Sequence, residues 1–150
     1  MSTAKVDAFL GRHRRIALDS SVVIYAIEGS PKYFDVAARV FQWIQDRNGD
    51  AVTSTITMVE ALVRPYRLAA GARAREFHAL LVTYPHLRWI EPTIEIAIEA
   101  ARIRAAYNLC TPDAIQAATA TVARAGGLVT NDPIFRRVPS VEALILDELL

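Results

Sequence analysis

The chain predicts an α/β fold with a largely parallel sheet, and three observations carry that prediction. Short apolar runs alternate with stretches of helical apolar spacing along the sequence. At the junctions stand hydroxyls or acids where helices would start, and glycine or proline where they would stop. No repeat, low-complexity tract or linker interrupts the alternation, so residues 1–150 read as one layered domain.

The elements follow in order. Ile16 to Leu18 is a strand ending at Asp19, and Ser20-Ser21 cap a helix through Val22 to Ile27 that Gly29 closes. Ala37, Val40, Phe41 and Ile44 share one helix face, with Gly49 after Asn48 as its stop. Ala51 to Thr53 is the second strand. It runs into Ser54-Thr55 and a helix whose inward face is expected to hold Ile56, Val59 and Val63, until Pro65 kinks or ends it. Phe77, Leu80, Leu81 and Tyr84 mark another helix, stopped by Pro85, and Leu87 to Ile90 is strand-like. Pro92-Thr93 opens a helix with Ile94, Ala97, Ile98 and Ala101 on its face. Thr111-Pro112-Asp113 starts the next, with Ile115, Ala118, Thr119 and Val122 inward and Gly126-Gly127 as its end. Leu128 to Thr130 is the fourth strand, Asn131-Asp132-Pro133 turns into a short helical segment, and Ala143 to Leu146 is the last strand.

Composition bounds the setting. The chain has 150 residues, of which 53% are hydrophobic and 22% charged, enough for a real core. A single cysteine, Cys110, cannot form an internal disulfide, and no stretch has the apolar length of a membrane span or the pattern of a signal peptide. A cytoplasmic location with no membrane partner is the expectation. The net charge of +1 does not by itself announce a nucleic-acid binder. Nearly all the positive charge is arginine, however, whose planar fork suits phosphate, and an acidic pocket would hide a basic rim in the total.

The acids carry the chemistry. In a parallel sheet the ligand crevice lies beyond the carboxyl ends of the strands, which is where Asp19 and Asp132 would sit. Asp19 reads equally as a helix cap or a ligand, Asp113 as a dipole-matched first-turn acid or a ligand, and Asp132 before Pro133 as an N-cap or a ligand. Glu60 is expected on an inward helix face, where a glutamate needs a metal or a partner such as Arg64 to offset desolvation. Two carboxylates about 4 Å apart repel by about 4 kcal/mol at an effective dielectric near 20, and a divalent cation reverses that cost. The set therefore points to a metal-dependent enzyme. The histidines His13, His78 and His86 show no zinc-ligand spacing with Cys110, no glycine-rich phosphate loop is present, and Cys110 reads as a small packing residue.

Four blocks together resemble the PIN-domain nucleases: Leu18-Asp19-Ser20-Ser21; Ser54 to Glu60; Thr111-Pro112-Asp113 through Ala118; and Leu128 to Asp132 with Phe135. The likeness spans nearly the whole chain, and its compact size is similar to that of the VapC-type toxins of toxin-antitoxin pairs. The resemblance implies a PIN-like three-layer fold, with a central mostly parallel sheet flanked by helices, and an acidic pocket that binds Mg2+ or Mn2+ and cuts RNA. Carried over by position, Asp19, Glu60, Asp113 and Asp132 are the catalytic set. Asp19, Asp113 and Asp132 would hold metal, and Ser20 and Thr130 would support a carboxylate or a water. Many relatives carry a further acid where this chain has Ile134, so a single well-held ion, with another recruited with substrate, is consistent with the acids present.

The resemblance also implies a cognate antitoxin and a homodimer built through helices. RNA would be gripped by a basic rim for which Arg64, Arg67, Arg73, Arg75, Arg136 and Arg137 are candidates, with Tyr66 as a stacking platform. Rival readings are a housekeeping RNA-processing nuclease and a PIN-like binding module without catalysis. A receiver domain would need a late lysine, but the lysines are Lys5 and Lys32; a haloacid-dehalogenase-type phosphatase would need an aspartate where Ser21 stands.

Overall fold

The short apolar runs become the strands of one sheet. The structure, a computed structural model, describes residues 3–46 and 49–150. Its helices are α1 (Thr3–Gly11), α2 (Ser20–Glu28), α3 (Phe34–Gln45), α4 (Ile56–Arg67), α5 (Gly71–Val82), α6 (Ile94–Tyr107) and α7 (Thr111–Val122). Its strands are β1 (Arg15–Leu18), β2 (Asp50–Ser54), β3 (Leu87–Ile90), β4 (Gly127–Thr130) and β5 (Glu142–Ile145). Short 3-10 turns cover Pro133–Arg137 and Leu146–Leu149. The sheet order is β3-β2-β1-β4-β5 and every pairing is parallel, with Ile16 opposite both Ala51 and Gly127.

Strand alternation divides the core into two layers. Ile16, Leu18, Ala51 and Val129 face one side, where α1, α2 and α3 pack with Phe9, Val22, Val40 and Ile44. Ala17, Val52 and Leu128 face the other, against Ile96 and Ile103 of α6, the alanines of α7, and Phe135. Both faces of the central strands are therefore covered, as parallel sheets require, and their near-continuous apolar runs follow from that.

Several helices depart from the expected detail. The α1 helix had no counterpart in the sequence reading, yet Val6, Phe9 and Leu10 are buried. In α4 the buried stripe is Thr57, Ala61 and Pro65, while Val59 is 63% exposed. Small side chains let α2 approach closely there, and the larger Val59 is left outside. Pro65 does not end the helix, which runs on to Arg67. In α6 the inward residues are Ile96, Ala100 and Ile103, whereas Ile94 and Ile98 are exposed. The α7 helix has Cys110 at its N-cap position, without a side-chain capping bond, and stops at Ala123, and Gly127 already belongs to β4. The α3 helix ends at Gln45, before the stop read at Gly49, and Asn48 lies outside the described residues. A Cβ on Gly49 would collide with the Trp43 ring, so close packing explains that glycine.

Candidate functional site

The neighbours β1 and β4 send the chain to opposite sides of the sheet, β1 toward β2 and β4 toward β5. In open α/β sheets the ligand crevice forms between such diverging connections, at the carboxyl ends of the strands. Asp19 stands at this place, one residue past β1 and only 7% exposed. Although it occupies the N-cap position of α2, its side chain makes no capping bond. Its Oδ2 instead accepts the Thr130 hydroxyl at 2.8 Å and the Ser21 hydroxyl at 3.2 Å. Burial pushes its pKa from 3.8 up to about 6 and the negative Asp113 adds to the rise, against the hydrogen bonds from Thr130, the Ser20 backbone and Ser21. The result is a buried carboxylate with neutral partners and a like charge acting on it.

The other acids arrive by different routes. Asp113, in the first turn of α7, accepts the Cys110 thiol at its Oδ2 (2.9 Å), and that bond holds the thiol pKa above its usual range. Cys110 is thus exposed and tied to an acid, and it is not the packing residue the sequence suggested. Asp132 follows β4. Its Oδ1 accepts the Ile134 N–H at 3.0 Å as the N-cap of the turn Pro133–Arg137, and its own N–H donates to Thr130 Oγ1 at 3.1 Å. Thr130, wholly buried, therefore joins Asp19 and Asp132 through one hydroxyl.

Glu60 corrects the sequence argument. It does not lie on the inward face of α4 but is exposed, so desolvation is not what explains it. The Ser20 hydroxyl, adjacent to Asp19, donates to Glu60 Oε2 and ties it to the crevice. The alternative partner Arg64 turns to Glu28 at 3.1 Å instead.

The donor set fits a hard divalent cation. Each acid offers oxygen, and none of the four takes part in an ion pair among the described residues. Among those residues no three His, Cys, Asp or Glu side chains close into a ready-made cage. Magnesium keeps several waters and binds through one or two carboxylates, so an open arrangement suits it better than a closed one.

The basic candidates divide by their partners. Arg64 and Arg136 are engaged with Glu28 and Glu148. Arg137 donates to the Tyr107 carbonyl at 3.4 Å, leaving its charge without a carboxylate partner among the described ion pairs. Arg67 and Tyr66 line an apolar groove of about 810 Å³ between α4, α5 and β3, together with Met58, Val59, Leu62 and Trp89. The sequence reading did not single out Ser21 for the site. Its hydroxyl donates to Asp19 and accepts the Asn131 N–H at 3.2 Å, a role its place two residues past a strand-end acid already hinted at.

A family profile described as PIN domain matches residues 16–141. No curated protein sequence matches the chain. Among solved structures, VapBC2 from Rickettsia felis bound to a promoter DNA fragment is similar at a TM-score of 0.71 and 18% identity, covering 87% of this chain and 98% of that one. A DNA-bound VapBC from Salmonella typhimurium gives 0.68 and 20%, covering 88% and 98%. A toxin-antitoxin complex from Klebsiella pneumoniae gives 0.63 and 26%, covering 85% and 95%.

Proposed function

Because this chain belongs to the PIN-domain family, we propose that it is a metal-dependent endoribonuclease and the toxin of a VapBC-type toxin-antitoxin pair. The observation that carries the reading is the buried Asp19 carboxylate, which has hydroxyl partners and a second acid for company but, among the described residues, no cationic partner. A group of that kind is costly to bury unless an ion is recruited to it.

In this reading Asp19 and Asp113 hold Mg2+ or Mn2+, with Asp132 completing the pocket through its uncapped oxygen. When bound, the ion supplies Lewis acidity toward the phosphodiester and lowers the pKa of the attacking water. Thr130 and Ser21 fix the orientation of the Asp19 carboxylate, and donors on a ligand's outer oxygen are worth about 10- to 100-fold in metal affinity. Glu60, exposed and steered by Ser20, orients the attacking water and takes its proton. Arg67 and Arg137 supply phosphate contacts at the rim.

The relatives in solved structures are toxin-antitoxin complexes, which supports a cognate antitoxin as the partner. The apolar groove on α4, one residue from Glu60, is a suitable surface for its apolar segment. The exposed Ile94 and Ile98 of α6 suit a homodimer contact. Among the described residues no helix is long and apolar enough to cross a membrane.

Mapping RNA fragments produced by the purified protein tests the reading. Internal cuts that require added Mg2+ or Mn2+ and vanish in Asp19→Asn are expected. An intact RNA under the same conditions, or cutting that survives chelation, overturns it.

A further inference from the structure

Behind the acids runs a buried chain of hydrogen bonds, and we infer that it sets the spacing of the metal-binding carboxylates, with Thr57 and Gln116 as positioning residues. The inference rests on the metal-dependent reading above. Gln116 Nε2 donates to Thr57 Oγ1 at 2.8 Å, the Thr57 and Thr53 hydroxyls meet at 2.7 Å, and Thr53 Oγ1 donates to the Leu18 carbonyl at 2.8 Å. All three side chains are buried, at 3% exposure for Gln116, 0% for Thr57 and 1% for Thr53.

The proton order follows from the partners. Thr53 spends its one hydroxyl proton on the Leu18 carbonyl, so Thr57 is the donor between the two threonines. Thr57 in turn accepts from the Gln116 amide, leaving a chain polarised in one direction from α7 through α4 and β2 to β1. Each end or branch lies next to an acid. Leu18 precedes Asp19, Thr57 is one turn before Glu60, and Gln116 is one turn after Asp113. The elements meeting here are otherwise packed by alanine and valine, which slide more readily than a directional bond allows. A glutamine on the alanine face of α7 has no other described partner to justify its burial.

The chemistry of the chain makes the test selective. Thr57→Val keeps the shape and removes the hydroxyl that both accepts and donates; Thr57→Ser keeps the hydroxyl and removes a buried methyl. Gln116→Met keeps length and removes the donor. The readouts are the Mn2+ dissociation constant, followed by the ion's paramagnetic resonance, and the unfolding midpoint of each full-length variant. Thr57→Val and Gln116→Met are expected to weaken Mn2+ binding by about tenfold or more. Thr57→Ser, although less stable than wild type, is expected to bind Mn2+ within about threefold of it, since the bonds that orient the acids persist.

A structural role alone would make affinity follow the unfolding midpoint, with Thr57→Ser affected like the others, and that result overturns the inference. So does unchanged Mn2+ affinity in Thr57→Val and Gln116→Met. RNA cleavage by the same preparations separates this inference from the nuclease reading. Mn2+ binding that is sensitive to Thr57→Val but unaccompanied by cleavage supports the positioning role and defeats the nuclease, whereas a wild-type protein that takes up no Mn2+ defeats both.

Discussion

The two ends of the sheet handle negative charge in opposite ways. At the amino ends of the strands, acids meet cations: Asp50, the first residue of β2, is bonded by Arg15 at 3.0 Å, and Glu142, the first of β5, is held by Arg12 and His13. At the carboxyl ends, Asp19 meets the hydroxyls of Thr130 and Ser21, and Glu60 meets Ser20. Electrostatics follows the partners, since Arg12 pulls the Glu142 carboxyl below its usual pKa while burial lifts Asp19 to about 6. The same backbone thus carries one end closed by its own salt bridges and one end where, although Asp147 and Glu148 past the edge strand β5 pair with Lys32 and Arg136, the strand ends of β1 and β4 are left with charge to spare. An end of the second kind costs stability, and a bound ion would offset it.

Substitutions at the two ends sharpen this contrast. On the proposed function the largest effect is expected on RNA cleavage: Asp19→Asn or Asp113→Asn would remove an ion ligand worth several kcal/mol in the transition state, so the rate should fall by about a thousandfold or more. A single-turnover assay at saturating metal reads it, and near-wild-type cutting by either variant removes that residue from the site.

The same Asp19→Asn change should stabilise the metal-free protein. The folded pKa of about 6 lies above the model-peptide value of 3.8, so ionising Asp19 at neutral pH costs the folded state up to about 3 kcal/mol, which the amide avoids. Denaturant unfolding at pH 7 with chelator present measures it, and a destabilised variant would show that Asp19 serves the fold.

Next is Ser20→Ala, which frees Glu60 without touching a ligand and should slow cleavage by about 10- to 100-fold. A rate unchanged across the pH range would leave Glu60 without a role. The smallest effects belong to the amino end. Asp50→Asn and Glu142→Gln should each cost under about 1 kcal/mol, because these pairs are half exposed and screened, and should leave cleavage as it was. The Glu142 contribution has the opposite pH sign to that of Asp19. Its folded pKa is depressed, so its stabilisation is present above the ordinary carboxylate range and lost as the pH falls.

The sheet, and the places of Asp19 and Asp132 at its strand ends, were legible in the sequence for a physical reason. Parallel strands buried on both faces are short apolar runs, and the observed bounds of β1, β3 and β4 fall within one residue of those read from Ile16, Leu87 and Leu128. Asp19 and Asp132 stand out because strand ends at the switch between β1 and β4 are where ligands bind. Helix faces were harder. In α6 apolar residues lie on two stripes, so periodicity alone could not choose Ile96 and Ile103 over Ile94 and Ile98. In α4 close helix approach buried Thr57 and Ala61 rather than the more hydrophobic Val59, which moved Glu60 to the surface. The polar chain through Gln116 joins residues far apart in sequence, and no local pattern announces it.

The most direct test of an unneutralised charge at the carboxyl end is the unfolding free energy of the wild-type protein followed from pH 4 to pH 8, with and without Mg2+. Without the ion, the folded state binds more protons than the unfolded chain between about pH 4 and pH 6, so stability should decline across that window. Saturating Mg2+ should restore it at neutral pH, and Asp19→Asn should abolish both the decline and the restoration. A flat profile, indifferent to Mg2+ and to the substitution, would contradict the account.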